Sequence, residues 1–97
     1  MFQYFTYDIH GPGFYQHYDL WLTPTLAQAP CELGHLFCKD TDDALNFYER
    51  ITQFTPFTGF ANATGLPAMS VPIHWNKDNL PIGVQFVGRS GEEGLML

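Results

Sequence analysis

Two groups of side chains have residue types that could do chemistry. The first contains Cys31, His35 and Cys38, which would offer a metal ion only three ligands, whereas structural zinc sites almost always have four. A disulfide between the two cysteines needs an oxidising compartment, and residues 1–5 carry no basic, signal-like start. We interpret the pair as ordinary thiols and predict no metal site and no cofactor, with a metal and a disulfide as the alternatives.

The second group is Ser70, His74 and Asp78, which recur at a spacing of four residues. On a helix they would share a face and suggest a catalytic triad. Pro72 lies inside the run, and proline in a helix interior removes a hydrogen bond and clashes with the preceding turn. An extended strand places these side chains too far apart for a hydrogen-bond relay. We therefore assign no catalytic residue here.

The strongest helix signal covers residues 40–54. Asp40 or Thr41 is expected to cap the helix N-terminus, and the acidic pair that follows suits the helix dipole. Apolar and aromatic residues then recur at helical spacing, and Pro56 disfavours helical geometry at Thr55.

Three apolar runs predict strands, at residues 19–25, 68–74 and 81–88. The turn-forming residues 76–79 between the last two predict an antiparallel hairpin. For residues 1–18 we expect irregular structure or a short helix, and for residues 55–67 we predict no regular element. The fold class is thus α+β, with a small sheet of about three strands and one or two packed helices, in a single partial domain over residues 1–97.

Composition excludes several partners. The net charge is −6 and the four basic residues are scattered, so a nucleic acid or an anionic membrane is not expected to bind. No apolar run approaches the roughly 20 residues that span a bilayer. With no secretory signal at the start, we expect a cytoplasmic protein.

The chain has more apolar surface than its size can hide. Hydrophobic residues make up 45% of 97 residues, and charged residues only 14%. Ser90 and Glu93 also have the spacing of a capping box, and an apolar run follows for only three residues after Gly94. We therefore expect a partner, which is either a second copy in a homo-oligomer or the missing remainder of a larger domain.

Two motifs resemble a known family. The run Asn-Ala-Thr-Gly-Leu-Pro-Ala-Met-Ser-Val-Pro at 62–72 and the run Leu-Pro-Ile-Gly-Val-Gln-Phe-Val-Gly at 80–88 are similar to the C-terminal pattern of the amidase signature family. The run Tyr-Asp-Leu-Trp-Leu-Thr-Pro-Thr at 18–25 resembles the strand that precedes them. Order and spacing agree over about residues 18–97. Within the family, the region is most similar to bacterial amidases that include the aminohexanoate cyclic-dimer hydrolases.

The resemblance implies a hydrolase of linear or cyclic carboxylic amides that uses two serines and a lysine. This chain has only Ser70 and Ser90 as serines and Lys39 and Lys77 as lysines, and neither serine lies in a Gly/Ser-rich run. No catalytic residue carries over, so the chain alone is predicted to be inactive. We expect it to supply scaffold and pocket wall, or alternatively to be a non-catalytic binding or assembly module that docks to an amidase-like partner.

The resemblance does imply a wall of the substrate pocket. In the family, the segment before the Asn-x-Thr-Gly motif borders the cleft, and the matching positions here are Thr55, Thr58 and Asn62. Ordinary hydrogen bonding at a helix end or turn is the alternative role for each. Gln85 is interpreted as a buried amide that satisfies neighbouring backbone groups.

Overall fold

The computed structural model describes residues 13–97. A short 3₁₀ helix at Phe14–Gln16 comes first, followed by strand β1 at Trp21–Pro24. Helices α1 (Ala44–Phe54) and α2 (Gly59–Thr64) follow, then strands β2 (Ala68–Trp75) and β3 (Pro81–Val87), and finally helix α3 (Glu93–Met96).

The three strands form one antiparallel sheet with the order β1-β3-β2. Strand β3 is central and pairs with both neighbours, so Trp21 and Ala68 both lie opposite Val87. The hairpin predicted from the turn at 76–79 is confirmed, with a shift of register between Pro72 and His74. The sheet and helices confirm the small α+β fold.

Alternation along the strands gives the sheet two different faces. The packed face carries Trp21, Thr23, Ser70, Gln85 and Val87, as the pairing register requires. Here Val87, which is fully buried, packs with Tyr15 and Leu66, and Phe14, Trp21 and Phe60 surround this cluster. The open face carries the intervening residues, among them Leu22, Met69, Val71, Val84 and Phe86.

Two side chains fasten the 3₁₀ helix to the end of β3. The Tyr15 hydroxyl donates to the Val87 carbonyl oxygen at 2.6 Å. The Arg89 guanidinium donates to the carbonyl oxygens of Tyr15 (Nη2, 2.6 Å) and Tyr18 (Nη2, 3.2 Å), and lies 5.8 Å from the centre of the Tyr15 ring. Its Nη1 also pairs with Asp19 and Glu92. Arg89 thus binds the backbone of Tyr15 and Tyr18, which precede it by 74 and 71 positions in the chain.

Helix α1 begins later than predicted. Its N-cap is Asp43, whose side chain accepts from the Asn46 backbone N–H at 2.7 Å, so the expected cap at Asp40 or Thr41 is wrong. Residues 39–42 instead form a turn that is closed by a backbone bond from Asp42 to Lys39. Because residues 39–42 form this turn, they cannot also form the first turn of a helix that starts at Asp40 or Thr41.

The structure corrects two further expectations. Residues 59–64 form helix α2, where no element was predicted, and it ends at Gly65 in the left-handed conformation. Burial of Ala61 and packing of Phe60 outweigh the poor intrinsic helix propensity of its glycine, asparagine and threonine. The expected capping box does not form, because α3 has Glu92 as its N-cap without a side-chain cap bond. The part of the 1–18 prediction that falls on residues 1–12 lies outside the described residues.

Tyr15→Phe is expected to lower the free energy of unfolding by about 1 to 2 kcal/mol, because the Val87 carbonyl loses its phenolic donor. Burial raises the pKa of the Tyr15 hydroxyl above its usual 10, with Arg89 partly opposing the shift. The neutral phenol is therefore favoured in the fold. The folding stability that the neutral Tyr15 hydroxyl contributes is complete below pH 10 and is lost as the pH rises through the raised pKa.

Urea unfolding at pH 7 and between pH 10 and 12 measures both effects. Tyr18→Phe is the matched control, since Tyr18 is 60% exposed. Equal stability of the Tyr15→Phe variant and the parent chain at pH 7 would contradict the role given to this hydroxyl.

Candidate functional site

The three predicted pocket-wall residues lie around the junction of α1 and α2. Thr55 follows α1, and its hydroxyl donates to the Ile51 carbonyl oxygen at 3.1 Å, which is the helix-end bond expected as its alternative role. Thr58 is the N-cap of α2 without a side-chain cap bond, and Asn62 is exposed one turn further on. Because Thr58 has helical dihedrals, it and Asn62 share one side of α2. Their role in a substrate pocket stays a prediction.

A buried amide connects this junction to the sheet. Gln85 is 4% exposed, and its Nε2 donates to Thr23 Oγ1 at 3.0 Å and to the Phe57 carbonyl oxygen at 3.3 Å. The interpretation of Gln85 as a buried amide is therefore confirmed. Through this bond the central strand fixes the position of the loop between Thr55 and Thr58.

A pair of hydroxyl groups lies next to Gln85 on the packed face. Thr25 Oγ1 and Ser70 Oγ are 2.7 Å apart, although they belong to segments 45 positions apart in the chain. Gly83 lies between them, and a Cβ at this position would come within 2.7 Å of Ser70 Oγ and 2.9 Å of Thr25 Oγ1. Sequence reasoning missed this pair, since only the strand order and register bring the two residues to the same side of β3.

The serines and lysines occupy separate places. Ser70 lies within β2, bonded to Thr25, and Ser90 lies in the turn after β3. Lys39 precedes α1 and Lys77 is in the β2–β3 turn. Ser70 and His74 both lie on extended β2, where four residues span about 13 Å at the usual rise per residue. The expectation that Ser70, His74 and Asp78 form no triad agrees with this geometry.

An ion pair lies beside the start of α1. Arg50 binds the Asp42 carboxylate through both terminal nitrogens, at 2.7 and 3.1 Å, and also donates to the Phe37 carbonyl oxygen. Both side chains are largely shielded, at 22% and 12% exposed. The hydrogen bond from Arg50 is the main cause that lowers the pKa of Asp42 to about 2, and the Lys39 backbone N–H adds to it.

A polar groove of about 400 Å³ lies beside this ion pair. It separates α1 from the loop that follows β1, and Phe54 provides its apolar base. The Arg50 Nε atom is buried there without a hydrogen-bond partner among residues 13–97. The remaining lining residues are Gln28, His35, Asn46, Glu49 and Gln53.

The described residues also bear on the predictions about a disulfide, a metal site and a membrane-spanning segment. Cys31 and Cys38 are both exposed free thiols. Over the described range 13–97, no three His, Cys, Asp or Glu side chains are grouped so that they could hold a metal ion. In the same range, no helix has the length and apolar character needed to cross a membrane.

Comparison with known proteins assigns the class. The Amidase family model matches residues 11–97, so the chain belongs to the amidase family. Among its relatives, AmiC of Mycobacterium tuberculosis is 36% identical over 84 residues, which cover 87% of this chain and 17% of AmiC. The 6-aminohexanoate-cyclic-dimer hydrolase of Paenarthrobacter ureafaciens is 38% identical over 84 residues, which cover 82% of this chain and 17% of that enzyme.

Solved structures agree with the sequence relatives. A structure of 6-aminohexanoate cyclic dimer hydrolase superposes with a TM-score of 0.69 at 34% identity, over 81% of this chain and 17% of that enzyme. Its complex with substrate gives a TM-score of 0.70 at 33% identity. The chain thus spans about 17% of the length of these relatives and corresponds to a part of the amidase fold.

Replacing Arg50 with Gln is expected to raise the pKa of Asp42 from about 2 toward its ordinary value of 3.8, because the main hydrogen bond to the carboxylate is lost. The remaining bond from the Lys39 N–H should keep the shift incomplete. In the parent chain, the lowered pKa of Asp42 adds folding stability that is complete above pH 3.8 and is lost as the pH falls toward 2.

The measurement is an NMR titration of the Asp42 side-chain carbonyl carbon between pH 1.5 and 6. Lys77→Gln removes a charge from the distant turn and should leave the midpoint unchanged. An unchanged midpoint in the Arg50→Gln variant would show that this arginine does not control the carboxylate.

Proposed function

We propose that this chain supplies scaffold and part of the substrate-pocket wall of a hydrolase that acts on linear or cyclic carboxylic amide bonds, and that it has no hydrolytic activity alone. The observation that carries the proposal is its similarity, over more than four-fifths of its length, to amide-cleaving relatives of which it spans about 17%. Such relatives include the 6-aminohexanoate-cyclic-dimer hydrolase and a protein named lipoamidase from Enterococcus faecalis. In this proposal the chain corresponds to the C-terminal end of the family's domain.

The polar groups of the chain support inactivity. Amide cleavage by a serine requires a nucleophile within hydrogen-bond reach of a base. The Ser70 hydroxyl is 2.7 Å from a threonine hydroxyl, which is a poor base at neutral pH. Ser90 lies in an exposed turn, and the adjacent Arg89 is bound to carbonyls and carboxylates. A guanidinium stays protonated in proteins and cannot act as a base.

The pocket wall in this proposal consists of Thr58 and Asn62, with Thr55 behind them at the end of α1. Thr55 already donates its proton to Ile51, so it could offer a substrate only its lone pairs. Asn62 is exposed and carries both donors and an acceptor, which complement a carboxylic amide. The Gln85 bond to Phe57 would hold this wall in place.

The second candidate is a non-catalytic module that docks to an amidase-like partner, and the exposed apolar side chains of the open face favour it. The two candidates differ in whether the docked chain restores hydrolysis. The cytoplasm is the proposed compartment, and the two exposed free thiols are compatible with its reducing conditions.

The purified chain is expected to cleave neither simple carboxylic amides nor 6-aminohexanoate cyclic dimer, and to resist labelling by a fluorophosphonate probe. The complete Paenarthrobacter ureafaciens hydrolase serves as the positive control in both assays. The double variant Ser70→Ala, Ser90→Ala identifies contaminants, since turnover that persists in it cannot come from these serines. Turnover that disappears in the double variant would overturn the proposal of an inactive chain.

The pocket wall is tested in a chimera in which this chain replaces the matching segment of that hydrolase. Asn62→Ala should raise KM for the cyclic dimer roughly three- to tenfold, which is the effect of losing one hydrogen bond of ordinary strength. The value of kcat should stay nearly constant, because such a contact binds ground state and transition state alike. Thr41→Val, in an exposed turn before α1, is the control. An unchanged KM in Asn62→Ala would remove Asn62 from the pocket.

A further inference from the structure

The open face of the sheet is apolar over all three strands. Leu22 from β1, Phe86 from β3 and Met69 from β2 lie in one row of the pairing register, and Val84 and Val71 form the next row. Leu22 and Ile73 are 61% and 62% exposed. Monomeric soluble proteins rarely leave a continuous patch of this kind in contact with water.

Two connected grooves follow this face toward α3. One, of about 300 Å³, is lined only by apolar side chains: Leu20, Met69, Val71, Ile73, Phe86, Leu95 and Met96. The other, of about 430 Å³, shares Met69 and Met96 with it and is otherwise lined by Pro67, Ala68, Glu93 and Leu97. Glu93 at the far margin is the single charged residue among these lining residues.

The two faces of the sheet differ in what covers them. The chain's own aromatic residues cover the packed face around Val87, and Gln85 is buried there, whereas Ala68 and Ser70 on β2 are exposed. The radius of gyration is 15.8 Å, against about 13 Å for a compact domain of this length. The centre of the packed face is therefore covered by the chain's own side chains, whereas the open face keeps two apolar grooves exposed to solvent.

We infer that the open face is the docking surface for the remaining part of an amidase domain, through an uncharged apolar surface that fills the two grooves. This inference rests on the proposed function. The coverage supports this occupant: the same fold recurs at a TM-score of 0.69 to 0.70 within two structures of one enzyme, and the matched part makes up 17% of that enzyme. In such an enzyme the other five-sixths of the chain is present to cover an apolar sheet face.

The chemistry of the face restricts what can dock. A charge brought against Val71, Ile73 and Phe86 would lose its hydration without finding a partner. The docking surface on the remainder must therefore present aliphatic or aromatic side chains in the grooves and keep its charged groups at the margin near Glu93. A charge introduced on the open face should consequently weaken the complex.

The test uses this full chain co-expressed with the part of the Paenarthrobacter ureafaciens hydrolase that lies outside the matched segment. Co-purification and a binding titration are expected to show a one-to-one complex. Leu22→Glu and Ile73→Glu should each weaken it at least about tenfold, because each places a carboxylate on the apolar surface. Leu33→Glu changes a fully exposed loop leucine to the same residue and should have no effect.

Thiol labelling gives a second measurement that does not depend on activity. Ile73→Cys, in a background with Cys31→Ser and Cys38→Ser, should react with a maleimide in the free chain and be protected in the complex, as read by mass spectrometry. Leu33→Cys in the same background should react in both states.

Each outcome has a separate meaning. Protection without restored hydrolysis would support the docking surface and count against the proposed role as scaffold and pocket wall of an amide hydrolase. A complex that is unaffected by Leu22→Glu and Ile73→Glu, or in which the thiol of the Ile73→Cys variant stays reactive, would overturn the inference. So would the absence of any complex, and so would a homodimer of this chain that Ile73→Glu dissociates, since a second copy would then be the occupant.

Discussion

The junction at the end of β3 determines how the described part of the chain is arranged. Val87 is fully buried there, pairs with Trp21 on one side and Ala68 on the other, and receives the Tyr15 hydroxyl bond. Arg89, two residues later, holds the backbone of Tyr15. A small chain has few buried apolar residues with which to offset its conformational entropy. Several segments therefore depend on this one junction, and the remaining elements are positioned relative to it.

The pocket-wall region depends on the same central strand. Gln85 lies two residues before Val87 on the same face and binds Phe57, so the loop between α1 and α2 follows the position of β3. The start of α1 has a separate support, in which Arg50 binds Asp42 and the Phe37 carbonyl. These two supports fix the two ends of the segment 42–57, which contains Thr55 and leads directly into Thr58 and Asn62. A segment held at both ends is suited to form the wall of a pocket, with the reacting groups supplied by another part of the protein.

The sequence was sufficient for features that depend on local patterns. Strand alternation and the turn at 76–79 predicted β2, β3 and their hairpin, and the family motifs at 62–72 and 80–88 gave the class. Features that depend on long-range pairing could not be predicted. The Thr25–Ser70 contact needs the order β1-β3-β2, and helix α2 needs the burial of Ala61. The cap at Asp43 was missed because four polar residues in succession all resemble caps; in the structure Arg50 binds Asp42, and Asp43 accepts from the Asn46 N–H.

The outer strands also bear on aggregation. A free strand edge offers unpaired N–H and C=O groups to any other chain, and flat apolar edges promote cross-β stacking. Both outer strands here contain a proline, Pro24 at the end of β1 and Pro72 within β2, and the register of β2 is broken just after Pro72. Proline cannot donate to a neighbouring strand, and a bulge twists the edge away from flat pairing. The sheet can therefore present an apolar surface to a folded partner while its edges resist the strand-by-strand growth of a fibril.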